Sequence, residues 1–196
     1  SNSSHWNLIP MIAMDVYSFQ DRPFSGKDAD YYLWNKLQVL GTLQVIKREF
    51  IRSALVKEYG VSEYFPVGFS FRFTGGKDIT EVYSRNFFAG EISFSGFQKD
   101  AGYYGVKLAL GSFFRNSLRE DARSSAEIFY FTPLLKWGRV RFRQLLKVDF
   151  SGVDQLSTQS PLFYTDQRLE ADEVILGDIL VQTNLTTVWH MPWYLY

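Results

Sequence analysis

Between Phe65 and Phe73 every second residue is large and apolar. Phe65, Val67, Phe69, Phe71 and Phe73 alternate with Pro66, Gly68, Ser70, Arg72 and Thr74. Side chains on a β-strand point alternately to opposite faces, so period-two spacing puts the five apolar groups on one face. A helix of the same sequence would scatter the phenylalanines around its whole surface. The segment therefore reads as a strand whose two faces meet different surroundings.

The same rhythm recurs along the chain. From Arg139 to Phe150, Val140, Phe142, Leu146, Val148 and Phe150 share one face, interrupted by Gln144. Arg139, Arg141, Arg143, Lys147 and Asp149 share the other, with Leu145 among them. Tyr104, Val106, Leu108 and Leu110 oppose Tyr103, Gly105, Lys107, Ala109 and Gly111. Phe88, Ile92 and Phe94 oppose Glu91, Ser93 and Ser95. Val181, Leu185 and Trp189 oppose Gln182, Asn184 and Thr186. Turn-forming residues separate these runs at Gly75-Gly76-Lys77-Asp78, Gln98-Lys99-Asp100, Asn116 to Ser125 and Ser151-Gly152-Val153-Asp154. Such short connections join antiparallel neighbours. The segment 31–59 fits two strands with a polar turn at Lys47-Arg48-Glu49, or else an amphipathic helix; the strand reading matches its neighbours. Residues 1–30, which contain Pro10, Pro23 and Gly26, read as one strand and a loop behind a polar tail without signal-peptide character. The fold class expected is all-β: an antiparallel meander of long strands over 31–196, preceded by the 1–30 segment, with about eight strands in the chain.

Composition narrows the function classes. Twenty-one basic and 21 acidic residues balance, which gives no reason to expect nucleic acid as a partner. The absence of cysteine excludes disulfides and thiolate chemistry. No run approaches the ~20 apolar residues of a spanning helix. The 18 Phe, 12 Tyr and 5 Trp suit strands, and they also suit the aromatic girdles of barrels in lipid. A soluble β-sandwich also uses many aromatics, but its strands are shorter, with a mode of about 5–6 residues. Here the faces opposite the aromatics carry Gly, Ser, Thr, Gln and Arg, as a crowded polar barrel interior does. In lipid such a meander has to close, because open sheet edges leave backbone groups unpaired.

Several runs resemble the barrel of the bacterial surface-antigen family, the BamA/TamA type of outer-membrane protein, in its large Bacteroidota members. They are YGVSEYFPVGFSFRFTGG, RNFFAGEISFSGF, YYGVKLALGSFF, WGRVRFRQLLKVDFSG and GDILVQTNLTTVWHMPWYLY. The resemblance covers about two-thirds of the chain and rests on strand texture. It implies all or part of a transmembrane barrel in the bacterial outer membrane, with a role in assembling or translocating outer-membrane proteins. It further implies the lipid bilayer and other outer-membrane or periplasmic proteins as partners, and no cofactor. The family's Arg-Gly-aromatic loop motif has no counterpart between Leu156 and Gly177, where Arg168 stands without a following glycine. That departure favours a passive pore or a structural component of an outer-membrane complex as the alternative. A soluble β-rich ligand-binding domain is the third reading. The family barrel is longer than this chain, so the chain reads as part of a larger protein.

Phe65, Val67, Phe69, Phe71, Phe73, Val140, Phe142 and Val148 are the candidates for the lipid-facing surface. Arg139, Arg141, Arg143 and Lys147, with Glu91, Glu127, Gln182 and Asn184, are candidates for the barrel interior or for docking a loop. Like charges at i and i+2 repel, so the cationic row calls for partners such as Glu91, Glu127 or Asp149. His5 and His190 read as surface or interfacial residues. Neither has the carboxylate spacing of a metal site or the setting of a catalytic triad. The acids Asp166, Glu170, Asp172, Glu173 and Asp178 lack EF-hand spacing and read as a solvated loop. No nucleophile–base constellation supports an enzyme.

Overall fold

The computed structural model describes residues 5–20, 34–54, 56, 62–154, 162–164 and 175–191. Among them there is no helix. The strands are β1 (Trp6–Tyr17), β2 (Lys36–Ala54), β3 (Ser62–Thr80), β4 (Ser84–Gln98), β5 (Gly102–Arg115) and β6 (Leu118–Phe131). They continue with β7 (Leu135–Trp137), β8 (Val140–Asp154), β9 (Leu162–Tyr164), β10 (Ile175–Gly177) and β11 (Ile179–His190). The main sheet runs β1-β2-β3-β4-β5-β6-β8-β11, with β7 on the start of β8, while β9 and β10 form a separate pair. Every pairing is antiparallel. The chain is thus the expected all-β meander of long strands, with eight on its main path. β1 and β11 stand at the two ends of that path, and no register joins them among the described residues.

Three expected turns lie inside strands, and a fourth is shorter than expected. Lys47-Arg48-Glu49 sits inside the single 19-residue strand β2; none of the three is a turn former, and all pair across to β3. Gly75-Gly76 lies inside β3, where a Cβ on Gly76 would fall 2.1 Å from the Val39 carbonyl oxygen. These glycines allow close backbone approach and do not reverse the chain. The reversal comes at 81–83, where Thr80 Oγ1 donates to the Tyr83 carbonyl at 2.7 Å and accepts from the Tyr83 amide at 3.1 Å. Of the polar run 116–125, only Asn116 and Ser117 turn, both at positive φ (50° and 67°) as a two-residue hairpin with a primed turn requires. The remaining residues start β6. Ser151–Asp154 likewise continues β8, paired with β6 and β11.

Register carries side-chain parity from strand to strand. Tyr103, Phe131 and Leu145 are buried together, and this defines an inner face. Along the ladders it includes Arg85, Glu91 and Ser93 on β4, Lys107 and Ala109 on β5, and Ser125 and Glu127 on β6. It continues through Arg143, Lys147 and Asp149 on β8 to Gln182 and Asn184 on β11. The opposite, outer face is apolar.

Parity breaks once in β3. Arg72 is on the inner face, bonded to Gln44 and paired with Glu91, yet Phe65 and Val67, at odd positions, also pack into the inner cluster. The break is at Gly68, whose φ is +140°. The β3–β4 ladder begins there, so residues 62–67 leave β4 and the tip of the β2–β3 hairpin leans over the inner face. A Cβ on Gly68 would lie 2.1 Å from the Lys47 carbonyl oxygen. Side chains disfavour this conformation, and glycine accepts it.

Replacing Gly68 with Ala is expected to lower stability by roughly 1–3 kcal/mol, the usual scale of such backbone strain. Gly90→Ala, whose added Cβ meets nothing within 4 Å, is expected to stay within about 0.5 kcal/mol of wild type. Denaturant midpoints of the two variants check the contrast.

Candidate functional site

The inner face is closed by side chains at both ends. At one end the leaning hairpin tip brings Phe65 within 5.4 Å of the Tyr103 ring and 4.8 Å of the Phe131 ring, while Tyr103 stacks on Phe131 at 5.1 Å. Val56 and Phe131 are fully buried. The Tyr103 hydroxyl and Ser95 Oγ both donate to the Pro66 carbonyl, at 2.9 and 2.8 Å, which ties the tip to β5 and β4.

Arg143 crosses from β8 to the same tip. Its Nη2 donates to Ser53 Oγ and the Ala54 carbonyl, both at 3.2 Å, and Nη1 to the Thr132 carbonyl at 3.3 Å. The guanidinium lies 5.2 Å from the Phe131 ring centre. It is buried, and among the described residues it meets neutral acceptors and no carboxylate. Carbonyl oxygens and an aromatic face are a workable substitute, because they offer partial negative charge without a second buried ion.

The other end is organised by Arg85, only 1% exposed. Its Nε donates to Asp78 at 2.9 Å, Nη1 to Asp121, and Glu120 lies 3.9 Å away. Glu120 in turn accepts from Arg115 Nη2 at 2.6 Å. The Arg85 guanidinium sits 3.8 Å over the Phe113 ring, and Arg115 sits 4.3 Å over Tyr83. Burial at the 81–83 turn raises the Tyr83 phenol above its ordinary range, with the two arginines opposing the shift. Asp121 takes a positive φ of 48°, beside the register shift between Gly111 and Phe113, which is how a β-bulge aims an extra side chain at the cluster. This cluster was not anticipated. Glu120 and Asp121 fall in the run expected as a turn, and the bulge that joins them to Arg85 leaves no periodic trace.

The predicted cationic row divides. Arg141, Arg143 and Lys147 share the inner face of β8, and Arg139 lies in the turn before it. Lys147 pairs with Asp149 at 3.1 Å. Glu91 instead holds Arg72 at 3.5 Å and Lys107 at 3.1 Å. Glu127 is in register with Lys107 and Asp149, Gln182 with Asp149, and Asn184 with Lys147. His190 corrects the surface expectation. It is buried on the inner face in register with Arg141, because β11 follows β8 to the end of the ladder. His5 is exposed. Asp178 is exposed as expected, and its carbonyl accepts the Val153 amide at 2.8 Å. Asp166, Glu170, Asp172 and Glu173 lie outside the described residues.

The outer face is built differently. Its centre is aliphatic: Leu43, Ile92, Leu108, Ile128 and Leu185 are all well exposed. At the hairpin-tip end it carries Trp6, Tyr104, Trp137 and Trp189, with Trp189 stacked on Phe142 at 4.9 Å. At the Arg85 end it carries Phe73 and Phe88, 6.4 Å apart, and Phe114, 5.9 Å from Phe88. Phe69, Phe71, Phe73, Phe142 and Val148 belong to this face, and Val140 is in register with Trp137. Phe65 and Val67 were expected with them and lie on the inner face for the reason given at Gly68. Eight strands about 4.8 Å apart make the apolar face roughly 35–40 Å wide. Ile12 is 87% exposed and Leu110 67%, so no described element covers it.

No protein-family model, curated protein or solved structure matches this chain.

Arg85→Met is expected to cost about 3–5 kcal/mol, since it strands Asp78, Asp121 and Glu120 without their cation. Lys147→Met removes a half-exposed pair and is expected to change stability by less than about 1 kcal/mol. Urea titration of the refolded protein separates the two.

Proposed function

We propose that this chain is a membrane-embedded segment of a bacterial outer-membrane β-barrel, with its outer face in lipid and its inner face lining a filled interior. The observation that carries this reading is the apolar face that crosses all eight strands of the main path, interrupted by Gln144, Thr183 and Thr187 on β8 and β11. Water-soluble monomers rarely expose a contiguous apolar surface beyond a few hundred Å², and this one far exceeds that. Its layering adds support: an aliphatic centre lies between one rim of Trp and Tyr and another of Phe, the girdle arrangement of barrels in lipid. Along β5 the rims are ten residues apart, from Tyr104 to Phe114. That is roughly 33 Å along the strand, or about 25 Å across a bilayer at the tilt usual for such strands.

The side-chain clusters at both ends of the inner face favour a structural or anchoring barrel over a passive pore. The role in assembling or translocating outer-membrane proteins rests on the resemblance to the surface-antigen family. Depleting the parent protein and measuring the outer-membrane levels of other barrels tests it directly.

Envelope fractionation tests the membrane reading itself. The protein is expected in the detergent-extracted fraction, with gel mobility that shifts on heating. A protein that stays monomeric in buffer without detergent would end this reading. As a quantitative companion, Leu108→Arg is expected to destabilise the protein in a bilayer by about 2–4 kcal/mol. A near-neutral result would mean that the residue faces water.

A further inference from the structure

Between the two plugged ends the inner face holds an open chamber of about 470 Å³. It exists because the strand centres carry small inner-face residues. Ala89, Ala109, Gly111, Ser125 and Ser151 stand where larger side chains would fill the space. The volume lies within the range of small-molecule sites. Phe87 and Val153 supply apolar wall, and Thr74, Ser125 and Ser151 supply hydroxyls.

The charges of the lining do not cancel. Arg72, Arg123 and Glu91 border the chamber. Glu91 is already divided between Arg72 and Lys107. The Arg123 side chain forms no ion pair or hydrogen bond among the described residues. The chamber therefore carries one surplus guanidinium beside an apolar wall.

We infer that this chamber binds a small monoanion with an apolar body, a carboxylate being the best fit, held by Arg123 and completed by Arg72. A guanidinium offers parallel N–H donors that match the two oxygens of a carboxylate. A neutral ligand of the same shape would cover Arg123 without satisfying it, and desolvating an unpaired cation is costly. Glu91 repels a second negative charge, which sets the preference for a monoanion over a dianion. The inference rests on the inner face alone and is independent of what covers the outer one.

The test uses para-trifluoromethylbenzoate followed by fluorine NMR, with the full-length parent protein in phosphatidylcholine nanodiscs and empty nanodiscs as the blank. The carboxylate is expected to bind saturably, and para-trifluoromethylbenzyl alcohol is expected to show only the blank's partitioning. Arg123→Gln is expected to weaken binding about tenfold or more, the usual scale for losing a charged hydrogen-bond partner. Ser125→Trp, which fills the chamber, is expected to abolish it, and Glu91→Gln is expected to tighten it. Each variant is checked for the wild-type circular dichroism spectrum before titration. No saturable binding by the wild type, equal binding of the alcohol, or unchanged affinity in Arg123→Gln overturns the assignment. Failure of the protein to enter nanodiscs would count against the membrane reading alone, and the titration would then be run in buffer.

Discussion

A residue in a β-strand can serve only one face of its sheet, and the structure depends on how consistently that rule is kept. Six of the seven successive pairings keep a constant register and β5–β6 shifts once, so the outer face gathers mostly apolar side chains while most charged side chains of β4 to β8 lie on the inner one. A one-residue slip in any ladder would send phenylalanines into the polar interior and arginines outward. There are two exceptions, the bulge at Asp121 that serves the Arg85 cluster and the break at Gly68, and the second covers one end of the inner face. By leaving the ladder there, the β2–β3 hairpin turns Phe65 and Val67 inward and covers one end of the inner face.

The two ends of that face solve the same electrostatic problem in different ways. Arg85 is neutralised by carboxylates drawn from β3 and β6, and an aromatic ring lies against its plane. Arg143 is solvated by carbonyl and hydroxyl oxygens from a distant strand, which avoids bringing a second ion into the same space. The first arrangement ties three strands together through charge. The second ties β8 to a hairpin tip through geometry, and it depends on that tip being in place.

Much of this was legible in the sequence. Alternation located the strand cores of β3, β4, β5, β8 and β11, because their two faces meet unlike surroundings and selection of side chains follows. Strand ends were less legible. Gly75-Gly76 and Ser151-Gly152 have turn chemistry but serve close packing within strands, where a Phe88 ring lies 3.5 Å from the place a Gly75 Cβ would occupy. The burial of Arg143 and the Arg85 cluster depend on which residues a bend and a bulge bring together. Neither leaves a periodic signature, so a reading by period could find the cationic row but not its partners.

The leaning hairpin also fixes an order of events. Each strand on the main path pairs with a neighbour close in sequence, so the meander can grow one hairpin at a time at low loop-closure cost. The tip cannot dock in that way. Its surface of contact is assembled from β5, β6 and β8, and the bond from Arg143 to Ser53 spans 90 residues. Docking of the tip therefore requires β5, β6 and β8 to be in place, although the tip precedes all three in the chain.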